Sequence, residues 1–301
     1  MSRRPIACCV RSGSKWHGVA STVFPDLGVS MHPHRRRLGL TDPWSVLTEH
    51  QQRVTRAFIA DRERERHHLV VYLSGAHAYG FPSPDSDLDL KCVHIAPTSE
   101  LVGLAPSDDP PDNIEVIDGV ELDYGSNELS PVLRGALKGN GNFLERILGD
   151  LALGGDLAVL AEARAVVQPL LSRRVGRHYG GFATSQLRLF DDKPTAKRAL
   201  YVLRTAATGR GILERGTLVT DVNRLREYVP AEIDELMEIK RTGERSVLEP
   251  EHAQLWRGRL VAAIAEIDAA WPRSVLQPDP SPEAVTALDA WLRDVRRRFW
   301  D

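Results

Sequence analysis

Every stretch of this chain that alternates like a β-strand falls between residues 69 and 124, and everything after Leu157 repeats like a helix. Side chains two apart share a strand face, and those three or four apart share a helix face. The pattern therefore predicts an α+β chain with its sheet gathered early and its helices late. The strand-like pieces are 69–73, 87–95 and 114–124. Asp118-Gly119 splits the last of these, which is a strong hairpin signal. Asp42-Pro43 predicts a helix start, with Asp42 or Thr41 as its cap, and Trp44, Leu47, Val54 and Phe58 carry helical spacing over 43–65. Residues 97–113, rich in Pro and Asp, read as a loop. Further helices are expected over 129–137, 143–153, 157–171, 173–190, 194–215, 231–242, 249–270 and 282–299. The expected organisation is a disordered extension over 1–40, an α/β domain over 41–153 and a helical domain over 154–301.

At 301 residues the chain is long enough for one large domain or two ordinary ones. A net charge of -2 excludes a polyelectrolyte partner for nucleic acid as a whole, so any such contact needs a local basic patch. The runs Arg35-Arg36-Arg37 and Arg296-Arg297-Arg298 are candidates, although a solvated face is the simpler reading of each. Three cysteines, Cys8, Cys9 and Cys92, make neither a disulfide framework nor a metal-ligand spacing. The apolar run 5–10 is too short for a signal-peptide core, and no segment approaches a membrane span. The chain reads as cytoplasmic, with no membrane partner.

The sharpest local feature is Asp85-Ser86-Asp87-Leu88-Asp89 at the mouth of an apolar strand. Asp87 and Asp89 share a parity and project together, while Leu88 and Leu90 turn to the core. Two like charges so placed ask for a cation, and hard oxygen ligands select Mg2+ or Mn2+. Asp85 has the same parity but sits between Pro84 and Ser86 and reads as a turn residue. A phosphoryl-transfer site commonly needs a further carboxylate from a neighbouring strand. Glu121 and Asp123 both have the right parity, with Asp123 favoured. Upstream, Gly75 and Ala76 open a strand-to-helix turn whose backbone N–H groups can cradle phosphate oxygens. Each feature alone is also what a solvated acidic turn or an ordinary loop would show; their spacing together is not.

That string resembles the DNA polymerase β-type nucleotidyltransferase superfamily: a glycine loop closing a strand, then Asp-x-Asp about ten residues later. The fuller set is Gly75, Tyr79-Gly80, Ser86-Asp87-x-Asp89, Lys91 and Val93. It is similar to the branch of nucleotidyltransferases associated with RNA-repair operons. Lys138-Gly139-Asn140-Gly141-Asn142 followed by Leu144-Glu145 resembles that branch's Lys-Gly-Asn-Pro and Leu-Glu signature. Lys197 and Arg204 resemble its later Lys…Arg helix. The similarity spans residues 68–245. Three positions depart from the pattern: Ala76 stands for the usual Ser, Gly141 for Pro and Tyr201 for His. A hydroxyl lost from a charged phosphate contact is worth roughly 1.5–3 kcal/mol.

The resemblance implies a palm-like mixed sheet followed by an all-helical domain. It also implies metal-dependent transfer of a nucleoside monophosphate from an NTP to a hydroxyl on RNA, protein or a small molecule. Asp87, Asp89 and Asp123 would hold the metal, Gly75 and Ala76 the triphosphate, and Lys197 and Arg204 further phosphates. The alternative is the same fold kept as a non-catalytic nucleotide- or RNA-binding module, which the missing hydroxyl at Ala76 favours and the retained carboxylates oppose.

Overall fold

A computed structural model of the chain describes residues 42–102, 104, 113–243 and 247–301. The expected extension over 1–40, with Arg35–Arg37, lies outside the described residues. Five strands form one mixed sheet in the order β3-β4-β2-β1-β5. They are β1 (His67–Leu73), β2 (Leu88–Ile95), β3 (Asn113–Ile117), β4 (Val120–Glu128) and β5 (Ala152–Gly154). The β2–β4 pair is parallel and the others antiparallel. The β3–β4 hairpin turns on Asp118 (φ 49°) and Gly119 (φ 78°), the left-handed pair that a two-residue loop demands.

The period-two rule sorts the sheet's two faces. Val71, Leu73, Leu88, Leu90, Cys92, Leu122 and Tyr124 pack on one side against Val54, Phe58 and Ile59 of α1 (Glu49–Arg62). Leu69, Val70, Tyr72, Val93 and Ile95 pack on the other, where the later helices lie. Leu69 and Val70 share that face because β1 carries a register shift between His68 and Val70. Asp89, Lys91 and Asp123 have the parity of the helical side.

Several expectations are corrected in detail. The helix expected over 43–65 is two elements. Asp42 caps a short 3-10 turn at Pro43–Val46, and α1 then starts afresh with a capping box between Thr48 and Gln51. Inside the expected loop 97–113 a single turn, α3 (Thr98–Leu101), is helical. The helix expected over 143–153 is α5 (Gly141–Leu148), preceded by α4 (Leu129–Leu137). It stops at Gly149, where the backbone presses on the Tyr72 ring, and β5 then joins the sheet edge. Three residues of strand are too few for alternation to register in the sequence.

The remaining helices are α6 (Leu157–Val167), α7 (Arg174–Asp192), α8 (Ala196–Arg215), α9 (Ile233–Thr242), α10 (Pro250–Ala270) and α11 (Pro282–Arg298). Residues 41–301 form one compact unit. A continuous apolar core runs from Leu69 of β1 through α4, α5 and α6 to Trp256 of α10. The chain's end returns to the sheet: Thr98 N–H donates to Phe299 O and Ser99 N–H to Trp300 O. Arg296 is ion-paired with Glu128, and Arg298 with Glu162 and Asp294. Two of the three arginines in that basic run are thus engaged in ion pairs. No helix among the described residues is long and apolar enough to cross a membrane.

Candidate active site

The site lies where β1 and β2 open onto the helical side. β1 ends at Leu73, and the chain turns through Ser74 into the five-residue helix α2 (Gly75–Tyr79). Ser74 N–H donates to Asp89 O at 2.8 Å, which locks this turn to β2. Gly75 has φ 65°, and a Cβ built on it would lie 1.8 Å from Asp89 Oδ2. Glycine is required both by the backbone angle and by the carboxylate pressed against it. We expect Gly75→Ala to displace Asp89 and to cost about 1–3 kcal/mol in strain, read as a loss of stability in chemical denaturation. Wild-type stability in that variant would count against the close approach of Gly75 to Asp89.

Beyond the turn, α2 ends on Gly80, whose carbonyl accepts from Asn223 Nδ2 at 2.7 Å. The loop to β2 is held from the helical side by Lys240 of α9. This fully buried lysine donates to Ser83 Oγ (2.7 Å) and Ser86 Oγ (3.1 Å), while Ser86 Oγ accepts from Ser83 N–H. The clamp fixes the residue before Asp87. No local pattern could announce it, because Lys240 is 157 residues from Ser83 in sequence.

Asp89 and Asp123 are direct neighbours in the parallel β2–β4 register. The Asp89 carboxyl is pushed up to about 7, first by burial and then by Asp87 and Asp123, against the opposing pull of Lys91 and Lys197. Lys91 Nζ donates to Asp123 Oδ1 at 2.7 Å. Glu121, the other carboxylate of that parity, is exposed and pairs across the hairpin with Val116. The donors are hard oxygens with strained like charges, which fits a divalent cation in kind. Among the described residues, no three His, Cys, Asp or Glu side chains are gathered closely enough to form a ready-made metal cage. Lys91 supplies the compensating charge at Asp123 in this arrangement.

A pocket of about 210 Å³ opens beside Asp89. Ser74, Gly75 and Lys91 form its sheet side; Asn142 and Arg146 of α5 and Tyr201 of α8 form its helical side. Ser74, which precedes the glycine, brings a hydroxyl to this pocket, where it meets Tyr79 OH at 3.2 Å. Ala76 is buried in the apolar core instead. A serine at position 76 would place its hydroxyl in that core, not in the pocket. Tyr201 packs edge-on against Tyr79 and Phe81. His77 sits behind the loop, its pKa lowered to about 4, chiefly by burial.

The two helical cations separate. Lys197, in the first turn of α8, is half-buried and its charge acts on Asp89. Arg204, two turns on, is 1% exposed; its Nη1 donates to Glu145 Oε1 at 2.7 Å, and its guanidinium lies 3.5 Å from the Tyr79 ring centre. Glu145 also accepts from Tyr179 OH at 2.8 Å. Burial is the largest single influence and would lower the Arg204 pKa, but the Glu145 carboxylate together with Tyr79 and Tyr179 raises it overall. The structure thus places Arg204 beneath the pocket, under Tyr79, rather than in it.

Over 164 residues the chain is 29% identical to an uncharacterized protein of Methanocaldococcus jannaschii, covering 52% of this chain and 65% of that relative's length. A solved structure, a nucleotidyltransferase-like protein from Exiguobacterium sibiricum, aligns over 82% of this chain and 80% of that one, at 9% identity and a TM-score of 0.30. A fit that loose bears on neither fold nor function. Residues 50–294, most of the chain and all of the site just described, match the model of one family, and the chain accordingly belongs to the RNA repair pathway DNA polymerase beta family.

Proposed function

We propose that this protein is a metal-dependent nucleotidyltransferase that moves a nucleoside monophosphate from an NTP to a hydroxyl, with RNA as the favoured acceptor. The observation that carries the reading is the pairing of Asp89 with Asp123 on adjacent parallel strands, with Gly75 pressed against Asp89. Asp87, Asp89 and Asp123 would hold Mg2+ or Mn2+. The cation, when bound, supplies charge neutralisation at the triphosphate. Gly75 and Ala76 present backbone N–H groups to the triphosphate, and Ser74 adds a hydroxyl at the same mouth. Lys197 offsets phosphate charge from the helical side. Asp123 stands to take the proton of the attacking hydroxyl. The acceptor oxygen then bonds the α-phosphorus, the α–β bridging bond breaks and pyrophosphate leaves. Catalysis on this reading is positioning plus charge neutralisation. Arg204 acts by holding Tyr79 and Glu145, not by touching phosphate.

The test is label transfer from each common NTP, radiolabelled at the α-phosphate, onto total RNA and onto cell protein, with Mg2+ or Mn2+. We expect label on RNA, and its disappearance when Asp87→Ala is combined with Asp89→Ala. Label that survives in that variant removes the carboxylates from the mechanism. Nucleotide binding without label under any condition favours the non-catalytic module.

A further inference from the structure

A second pocket, of about 500 Å³ and lined by cations, lies on the other side of the first turn of α5. It is lined by Lys138, Asn140, Arg174, Arg177 and His178, with no carboxylate among them. The pocket is built by tight packing. The turn between α4 and α5 lies so close to the start of α7 that a Cβ on Gly139 would sit 2.7 Å from the Arg174 carbonyl carbon. A Cβ on Gly141 would sit 2.7 Å from the His178 ring. Arg174 is held by Leu137 O (3.0 Å) and by Asp279 (2.6 Å). Lys138 and Arg177 are exposed and take part in no ion pair among the described residues. Aromatic surface borders them: Arg177 lies over Trp271 at 5.5 Å, and His178 faces Phe182 at 6.0 Å.

We propose that this pocket seats backbone phosphates of a single-stranded RNA acceptor. The inference rests on the transferase reading above and names its acceptor. The triphosphate already has Gly75, Ala76, Ser74 and Lys197, so a separate cationic pocket answers to a second polyanion. Cations beside aromatic planes match a single strand, whose phosphates need charge and whose unstacked bases need flat partners. Asn140 lines this pocket and Asn142 the carboxylate pocket. A strand seated here therefore reaches the reaction site across one helical turn. The Lys-Gly-Asn stretch acquires a physical role: its lysine meets phosphate, and its glycine lets the turn close on α7.

The experiment is fluorescence anisotropy of a short labelled single-stranded RNA with the full chain, at several salt concentrations. Lys138→Ala combined with Arg177→Ala is expected to weaken binding about tenfold and to flatten the slope of log K on log salt by about 1.4, two phosphate contacts at roughly 0.7 each. Arg64→Ala combined with Arg241→Ala removes the same charge elsewhere and is expected to leave RNA affinity near wild type. ATP binding is expected to stay unchanged in both. Wild-type RNA affinity and slope in the pocket variant would overturn the proposal, as would an equal loss in the control. A parallel loss of ATP affinity would give the pocket to the nucleotide instead. Label transfer to protein without RNA binding would refute this site while leaving the transferase standing.

Discussion

Asp89→Asn is expected to raise the melting temperature of the metal-free protein by about 5–10 °C at pH 8 and to leave it nearly unchanged at pH 4, while abolishing label transfer. The Asp89 carboxyl is pushed up to about 7 from an ordinary 3.8, by burial first and by Asp87 and Asp123 second. Between those two values the folded protein binds more protons than the unfolded chain, so stability falls as pH rises through the window. Above pH 7 the full cost is present. Three pH units correspond to an upper bound of about 4 kcal/mol, and partial solvent access brings it nearer 2–3 kcal/mol. For a chain of this size each kcal/mol moves the melting temperature by about 2–4 °C. Asparagine keeps the shape of the protonated acid and cannot ionise, so it removes the cost at high pH only. Magnesium should narrow the gap by stabilising wild type and not the variant. Calorimetry in chelator and then in Mg2+, at pH 4 and pH 8, reads all three terms. A variant no more stable than wild type at pH 8 would show that Asp89 is not strained, and the argument for a cation there would lose its energetic support.

A cluster of like charges that packing does not explain is what made this part of the fold legible in the sequence. Three acidic side chains of one parity on an apolar strand pair make no sense as packing, and the β2–β4 register sets Asp89 beside Asp123, where alternation points. The α/β-then-helical order was equally legible, because 2.0 and 3.6 periods are local properties. What stayed hidden was long-range. Helical spacing on α8 says which face Arg204 lies on, but not that the face meets a buried carboxylate 59 residues away. Lys240 reads as an ordinary helical lysine until Ser83 and Ser86 arrive beside it. At the strand-to-helix turn, sequence order cannot say which neighbour of Gly75 faces the pocket. That is why Ala76 reads as a lost hydroxyl in the sequence, although Ser74 on the other side of the glycine brings one to the pocket. β5 was missed for want of length, and the break at Leu47 because both halves of 43–62 carry the same apolar spacing.

Arg204→Met is expected to cost about 3–5 kcal/mol, the penalty for leaving one member of a buried ion pair unpaired, or a fall of about 10 °C in melting temperature. Glu145 would keep Tyr179 as a donor but lose its counter-charge, at a side chain only 3% exposed. Combining Arg204→Met with Glu145→Leu removes both charges, and most of the lost stability should return, because replacing a buried pair by apolar groups is often neutral or better. The double variant also separates two roles for Arg204. The resemblance to polymerase β-type enzymes implies a phosphate ligand; the geometry makes it the floor under Tyr79, whose hydroxyl meets Ser74 at the pocket mouth. If the refolded double variant binds ATP with wild-type affinity, Arg204 is a positioning residue, and its effect on activity runs through the stability of that floor. If stability returns and ATP binding does not, the guanidinium reaches phosphate in the bound state, and the Glu145 pairing is the resting arrangement that binding must break.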